Sequence, residues 1–240
     1  MIKNILKFRP KLVPTLFVIP ALILLFSLSF WQFQRLNWKQ EIIRKIEIQS
    51  QLEAIELPQD LDLVKMLYRK VIVKGEFLHQ DEVHIYGGSR KFKGEVGYYI
   101  LTPLLLSNGK IIMVNRGWIP DNLKDSATRP QTLIKGKVEI TGAIMENEEK
   151  GLYIHDNQPE YNLWFYINLN EMRSFLKIPE KDFIANFYIL AQENKDPNIL
   201  PYGRDLELNV RNHHLGYALT WFFSAISLIV IYILYHRKKL

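Results

Sequence analysis

The amino-acid sequence predicts a membrane protein in which two transmembrane helices flank an α+β extramembrane domain with an antiparallel, β-barrel-like or sandwich-like sheet. Two apolar runs, residues 12–31 and residues 215–235, contain no charged side chain. Runs of 20 and 21 residues are long enough for a helix to cross the hydrocarbon core of a bilayer. Between them lie many short β-rich segments separated by turn residues, a pattern typical of antiparallel sheets.

Basic residues are concentrated at the two ends of the chain, outside both apolar runs. They are Lys3, Lys7, Arg9, Lys11, Arg237, Lys238 and Lys239. Because these seven residues outnumber the net charge of +6, the rest of the chain is close to neutral. A nucleic-acid interface needs a basic patch on a folded face, so we expect the lipid bilayer, and no nucleic acid, as a partner. Lysine and arginine beside a span mark its cytoplasmic side, which predicts a multi-pass protein with both termini in the cytoplasm.

These patterns divide the chain into five segments. The first apolar run is followed by Gln32 and Phe33, not by the small residues of a signal-peptide cleavage site, so we expect it to remain as an anchor. The chain has no cysteine, which excludes disulfides and thiolate ligands. The predicted segments are a cytoplasmic basic tail over residues 1–11, a transmembrane helix over residues 12–31, an outward-facing, periplasmic β-rich domain with an N-terminal helix over residues 32–213, a second transmembrane helix over residues 214–235, and a cytoplasmic basic tail over residues 236–240.

The elements between the two runs are predicted from periodicity and turn residues. Helical spacing continues over residues 37–56 and ends at Pro58. The Ser-Asn-Gly turn at residues 107–109 predicts a hairpin, and Gly75 is a candidate β-bulge. Strands are predicted over residues 68–77, 82–86, 98–106, 110–115, 135–145, 163–169, 186–191 and 205–210, with a loop over residues 119–133 and a short helix over residues 171–176.

His79 and His84, with Glu76, Asp81 and Glu82 nearby, form the densest group of candidate metal ligands. The five-residue separation of the two histidines spans a predicted turn, and no third ligand follows at a recognised spacing. We therefore interpret them as solvated turn residues. The sequence also contains no phosphate-binding loop, nucleophile elbow or metalloprotease motif, so we expect a protein without enzymatic activity.

His214 stands at the start of the second apolar run and is the leading candidate for a functional residue. On a helix that begins near it, Tyr217, Ala218 and Trp221 share its face, whereas His213 points about 100° away. An ionisable side chain at the edge of a membrane span is a candidate site. A histidine that caps the helix or extends to water explains the same position, and residue chemistry leaves both explanations open.

The end of the first helix carries a stripe formed by Trp31, Gln34, Arg35 and Trp38. An aromatic belt with an arginine that extends to water accounts for this pattern. The same side chains also suit an amphipathic macrocycle beside His214. Imidazole ligates haem iron, and arginines such as Arg35 and Arg211 pair with propionates.

Four blocks of residues occur in order within and between the two predicted spans. They are Trp31-Gln32-x-x-Arg35-x-x-Trp38-Lys39, Gly75-x-Phe77, Gly97-Tyr98-x-x-x-Thr102-Pro103-x-x-x-x-x-Gly109-x-x-x-x-Val114-Asn115-Arg116-Gly117-Trp118-x-Pro120, and Asn212-x-His214-Leu215-x-Tyr217-x-x-Thr220-Trp221. Together they resemble the Surfeit locus protein 1 family of cytochrome c oxidase assembly factors over nearly the whole chain. One departure is Ser29, where the family usually has glycine, and the larger side chain is expected to loosen helix packing.

The resemblance implies a chaperone that binds haem a and assists its insertion into the catalytic subunit of cytochrome c oxidase, with haem a synthase as a further candidate partner. The family's histidine at the start of the second span corresponds to His214, which implies a ligand to the haem iron. In the resulting hypothesis the other cofactor-binding residues, chosen from helical position and residue chemistry, are Tyr217, Trp221, Arg35, Arg211, Trp31 and Trp38.

Two further expectations accompany the resemblance. A short basic N-terminus without an Arg- and Ser-rich transit sequence indicates a bacterial inner (plasma) membrane protein. The alternative function is a scaffold that stabilises an oxidase subunit without binding haem. In that case the working surface is the β-rich domain, including the corner Asn115-Arg116-Gly117-Trp118.

Overall fold

The computed structural model describes residues 10–58, 60–87, 95–192, 199–203 and 212–237. The chain divides into two compact units. The helical unit is drawn from residues 1–44 and 209–240, and the β-rich unit from residues 45–208. The strand predicted over residues 205–210 and the candidate site residue Arg211 lie outside the described residues.

Two long helices provide the helical unit, and the C-terminal end of the first, from residue 45 onward, belongs to the β-rich unit. Helix α1 (Leu12–Gln51) has 40 residues and helix α4 (His214–His236) has 23. Both are long and apolar enough to cross a membrane, in agreement with the two predicted spans. At 1.5 Å per residue α1 is about 60 Å long, about twice the thickness of a bilayer core. The first span therefore continues as the same helix, as its periodicity predicts, although the helix ends at Gln51 and not at Pro58.

Small and hydroxyl-bearing side chains line the contact between α1 and α4. Ala218 and Ala225 of α4 are buried, and the Ser29 hydroxyl donates to the Ala218 carbonyl at 2.9 Å. Further along the same pair of helices, the hydroxyls of Thr15 and Tyr232 lie 2.5 Å apart. Small residues let two helix backbones approach closely in lipid. The expectation that Ser29 loosens this packing stays a prediction, and the Ser29 hydroxyl adds a hydrogen bond between the two helices.

Eight strands and two short helices make up the described part of the β-rich unit. The strands are β1 (Ile55–Glu56), β2 (Lys70–Phe77), β3 (Val83–Tyr86), β4 (Gly97–Leu106), β5 (Ile111–Pro120), β6 (Lys137–Glu146), β7 (Leu163–Trp164) and β8 (Phe187–Ala191), and the helices are α2 (Leu63–Met66) and α3 (Leu169–Phe175). Five strands close into a barrel in the order β2, β6, β8, β5 and β4, because β4 pairs back onto β2. The barrel-like fold class is thus confirmed. The sheet is mixed, however, since β1–β2, β3–β7 and β5–β8 are parallel pairs.

Besides a small cluster of Tyr98, Ile100 and Ile119, two large apolar clusters form the core of the β-rich unit. One takes side chains from all five barrel strands, among them Val73, Leu104, Ile112 and Ile189, and lies inside the barrel. The other lies on the outer face, where residues such as Met113 pack against β3, β7 and α3. Ile112 and Met113 enter different clusters because consecutive strand residues point to opposite faces.

Gly75 marks the place where β2 leaves one neighbour and pairs with the next. It is paired with Val138 of β6 and with Leu106 of β4. A Cβ atom added here would lie 2.4 Å from the backbone carbonyl oxygen of Leu105. The predicted bulge at Gly75 is therefore wrong: the pairing register continues through it, and glycine is required because two backbones approach closely as the barrel closes.

The bulge of the barrel lies instead at Arg116. Ile100 pairs with Gly117 and Leu101 with Asn115, which leaves Arg116 as the extra residue of β5. Gly117 has φ +120°, and its backbone N–H donates to the Asn115 side chain at 3.1 Å. Strand β5 thereby continues to Pro120 and does not end at residue 115 as predicted. The bulge residues Asn-Arg-Gly interrupt the β-rich pattern without ending the strand.

The strand predicted over residues 163–169 is also only partly correct. Strand β7 contains Leu163 and Trp164, and α3 already begins at Leu169. The Asn168 side chain accepts a hydrogen bond from the Glu171 backbone N–H at 3.2 Å. This N-cap starts the helix two residues earlier than the predicted helix at residue 171.

Candidate functional site

His214 faces the first helix at the start of α4. It is half-buried, and its Nδ1 lies 2.7 Å from the side-chain Oε1 of Gln32 on α1. His214 is the first residue of the helix, and its backbone N–H donates to the Asn212 side chain at 3.4 Å. At the start of α4 the Asn212 side chain accepts the backbone hydrogen bond, and the His214 side chain contacts Gln32 instead. His214 is therefore not needed as a helix cap.

The orientation of the Gln32 amide, with Oε1 toward the ring, assigns the proton of the neutral His214 imidazole to Nδ1. An amide oxygen only accepts hydrogen bonds, so Nδ1–H must be the donor. In the neutral imidazole the other nitrogen, Nε2, then keeps its lone pair. Within the described residues, no hydrogen bond occupies Nε2. A neutral imidazole held in this way is arranged to ligate a metal, because metal-ligating histidines are commonly fixed through their second nitrogen.

Sequence reasoning did not select Gln32 as a site residue, although it stands inside the first block. Its partner is 182 positions away in the chain, and a single sequence gives no register between two helices. The one available signal is its helical position. Gln32 lies about 60° around the helix from Ser29 and about 40° from the buried Leu36, so the three share a face.

The other predicted residues of α4 take different positions. Trp221, two turns beyond His214, is half-buried, whereas Tyr217 is exposed. His213 is exposed at the N-cap position, in keeping with its predicted direction away from His214. The structure thus keeps His214 and Trp221 on the side of α4 that contains the buried Ala218 and leaves Tyr217 outside it.

The stripe on α1 is brought together, but not against His214. The Arg35 guanidinium lies over the Trp31 ring at 5.9 Å and over the Trp38 ring at 5.1 Å from the ring centroids. Both indoles are largely exposed. Trp31 lies about 100° around the helix from Gln32, so the stripe occupies a neighbouring face. Arg35 is thereby held by cation–π contacts and has no carboxylate partner among the described residues.

The described residues fit the donor chemistry that a haem requires. A haem needs an axial ligand for its iron, an apolar wall for its ring and cations for its propionates. His214 supplies an imidazole nitrogen, Trp221 an aromatic surface, and Arg35 a guanidinium without an acidic partner. Outside this set, the described residues contain no group of three or more His, Asp or Glu side chains arranged to hold a metal ion.

A buried charge network occupies the region that we interpreted as solvated turn residues, and that interpretation is wrong for Glu82 and His84. Glu82 is buried and pairs with the fully buried Arg129. Its Oε1 also lies 3.0 Å from His84 Nε2. Arg129 further donates to the Leu123 carbonyl at 2.8 Å and to the Thr132 hydroxyl at 3.0 Å. The network therefore joins the start of β3 to the segment between β5 and β6.

Burial and pairing have opposite effects on the ionisation of this network. Burial raises the pKa of Glu82, but the hydrogen bonds from His84 and Arg129 outweigh it, so the pKa of Glu82 lies below the ordinary carboxyl value. Burial lowers the pKa of His79, whose Nε2 lies 2.8 Å from the Ile134 carbonyl oxygen. Burial likewise lowers the pKa of Arg116 to about 10. These groups form a structural network with Glu82 ionised.

The corner at residues 115–118 is also buried. Asn115, Arg116 and Trp118 are each less than one-tenth exposed. The Arg116 guanidinium lies 4.8 Å from the centroid of the Phe77 ring, and the backbones of Trp118 and Tyr202 exchange two hydrogen bonds of 2.8 Å. Since these side chains are enclosed, the corner supports the barrel and does not form the working surface that the scaffold hypothesis requires.

Comparison with known proteins identifies one family. The model of the SURF1 family matches residues 19–226. A SURF1-like protein of Rickettsia conorii (strain ATCC VR-613 / Malish 7) is 36% identical over 219 residues, which cover 90% of this chain and 88% of that protein. A SURF1-like protein of Caenorhabditis elegans is 33% identical over 236 residues, which cover 89% of this chain and 71% of that protein. Surfeit locus protein 1 of Rattus norvegicus is 31% identical over 211 residues, which cover 82% of this chain and 67% of that protein.

Proposed function

Because the chain belongs to the SURF1 family, we propose that it is an assembly factor for cytochrome c oxidase that holds haem a through His214 and assists its insertion into the catalytic subunit. The observation that carries the haem part of the proposal is the hydrogen bond between His214 Nδ1 and Gln32, which leaves Nε2 available as a ligand. Haem a is the cargo in this proposal, and the protein performs no catalytic step.

Two further residues, Trp221 and Arg35, have roles that follow from their positions. Trp221, half-buried on the side of α4 that carries His214, contributes an apolar wall. Arg35, held between Trp31 and Trp38, supplies a cation for a propionate. Arg211, which lies outside the described residues, and Tyr217, whose side chain is exposed, belong to the proposed set through the sequence prediction alone.

We further propose a bacterial inner (plasma) membrane location with both termini in the cytoplasm and the β-rich unit outside. The basic residues that flank the two spans support this orientation. The proposed partners are the oxidase catalytic subunit and, as the source of the cargo, haem a synthase. His214, at the N-terminal end of α4, then lies at the outer membrane surface.

Deletion of the gene in its bacterial host tests this function through the haem a content of the purified oxidase. We expect the content to fall on deletion and to be restored by the wild-type protein and by His213→Ala, because His213 is exposed and makes no side-chain cap. His214→Ala should not restore it. Full restoration by His214→Ala would favour the scaffold alternative, in which the protein stabilises the oxidase subunit without binding haem.

A further inference from the structure

The loop between β6 and β7 exposes three consecutive apolar residues, Leu152, Tyr153 and Ile154, which we term the 152–154 tip. Their exposed fractions are 87%, 93% and 43%. Single exposed apolar residues are common on protein surfaces, but a run of three is a feature that soluble surfaces avoid unless it has a function. The tip belongs to the β-rich unit, whereas the proposed haem site belongs to the helical unit.

The base of this loop is fixed by polar contacts. Lys150 forms an ion pair with Asp156 across the tip, and the Ile154 backbone N–H donates to the Gly151 carbonyl at 3.0 Å. Next to them, Asn157 accepts from the Phe165 backbone N–H at 2.9 Å and donates to Glu171 at 2.7 Å. A tip on a fixed base loses little conformational freedom when it is bound, which is typical of a preorganised contact surface.

The charges around the tip distinguish a protein from a lipid as its occupant. Residues 146–160 contain five acidic side chains and one lysine, Lys150, which is already paired with Asp156. Segments that insert into a membrane surface are typically rich in lysine and arginine, because biological membranes carry anionic lipids. Acidic residues beside the tip repel an anionic membrane surface, whereas they complement a protein surface that is rich in lysine or arginine. The acidic residues are Glu146, Glu148, Glu149, Asp156 and Glu160, and all five are exposed.

We propose that the 152–154 tip docks into an apolar recess, bordered by lysine or arginine, on an extramembrane part of the client protein. Tyrosine is enriched among the residues that dominate protein–protein binding energy, and Tyr153 is the most exposed residue of the tip. Since the proposal rests on the proposed function, the client is the oxidase catalytic subunit. The tip gives the assembly factor a contact that is independent of haem.

Photocrosslinking in the bacterial host tests the proposal on the full-length protein. A benzophenone amino acid replaces Tyr153 in one variant and Val64, an apolar residue on α2 that is also largely exposed, in the control. We expect an adduct with the oxidase catalytic subunit from position 153 and none from position 64. A Glu149→Lys variant should lower the adduct yield at position 153 by about threefold or more, because it reverses an acidic charge three positions from the tip.

Two outcomes overturn the inference. One is an adduct of position 153 with phospholipid alone, and the other is no adduct with the catalytic subunit. The haem a content of the oxidase in the same cells reports on the proposed function separately. If the haem a content of the oxidase depends on His214 but position 153 gives no adduct, the docking proposal alone is overturned. An adduct at position 153 with a content that does not depend on His214 supports docking and contradicts haem transfer.

Discussion

Replacing Glu82 with alanine is expected to lower the free energy of unfolding of the β-rich unit by about 3–5 kcal/mol, because removal of one partner of a buried ion pair leaves the other charge uncompensated. The charge left behind is Arg129, which is fully buried and takes both of its carboxylate contacts from Glu82. Its remaining hydrogen bonds go to neutral groups such as the Leu123 carbonyl and the Thr132 hydroxyl.

Thermal unfolding of the full chain in detergent, followed by near-UV circular dichroism, measures this change. Glu76→Ala is the matched control, since Glu76 is an exposed carboxylate on β2. Because the pKa of Glu82 is lowered in the folded protein, its stabilisation is present above the ordinary carboxyl pKa and lost as the pH falls through the folded value. The difference between wild type and Glu82→Ala should therefore shrink in acid. Equal stability of Glu82→Ala and Glu76→Ala at neutral pH would contradict the network.

Replacing Gln32 with leucine is expected to weaken haem a binding by about 10- to 100-fold, the usual cost of removing the group that orients a metal-ligating histidine. The amide oxygen that now accepts from His214 Nδ1 is lost. The imidazole is then free to rotate and to place its proton on Nε2, the nitrogen proposed to bind iron. Gln32→Glu keeps an acceptor at the same place and should retain most of the affinity.

Haem titration of the detergent-purified variants measures this effect. Gln40→Leu is the control, because Gln40 is an exposed glutamine on the same helix, eight positions away and outside the stripe of Trp31, Gln34, Arg35 and Trp38. It makes the same change of polarity without touching His214. An affinity of Gln32→Leu within about twofold of that of Gln40→Leu would show that Gln32 does not orient the ligand, since second-sphere losses are normally larger.

The sequence predicted the features that depend on local pattern. The two spans follow from charge-free runs of sufficient length, and the helical phase separates His214 from His213 within a single helix. The turn at residues 107–109 correctly joins β4 and β5. In each case the determining residues are neighbours in the chain, so one sequence contains the information that is needed.

The features that were not predicted depend on contacts between distant parts of the chain. Gln32 joins the site through the register of α1 against α4, and Glu82 is buried by Arg129, 47 positions away. The sequence around Glu82, with a histidine on either side, has the composition of a solvated turn. Glu82 becomes buried only when the segment between β5 and β6, which contains Arg129, packs over it. The same reason explains Gly75, whose need for glycine arises only when β4 pairs back onto β2.

The most direct test of the central claim is the absorption spectrum of the full-length protein, purified in detergent after co-production with a source of haem a. Wild type and His213→Ala should show a Soret band of bound haem a, and His214→Ala should lose it or shift it, because the imidazole that ligates the iron is removed. A wild-type protein without a Soret band, or a band that His214→Ala leaves unchanged, would contradict the assignment of His214 as the haem ligand.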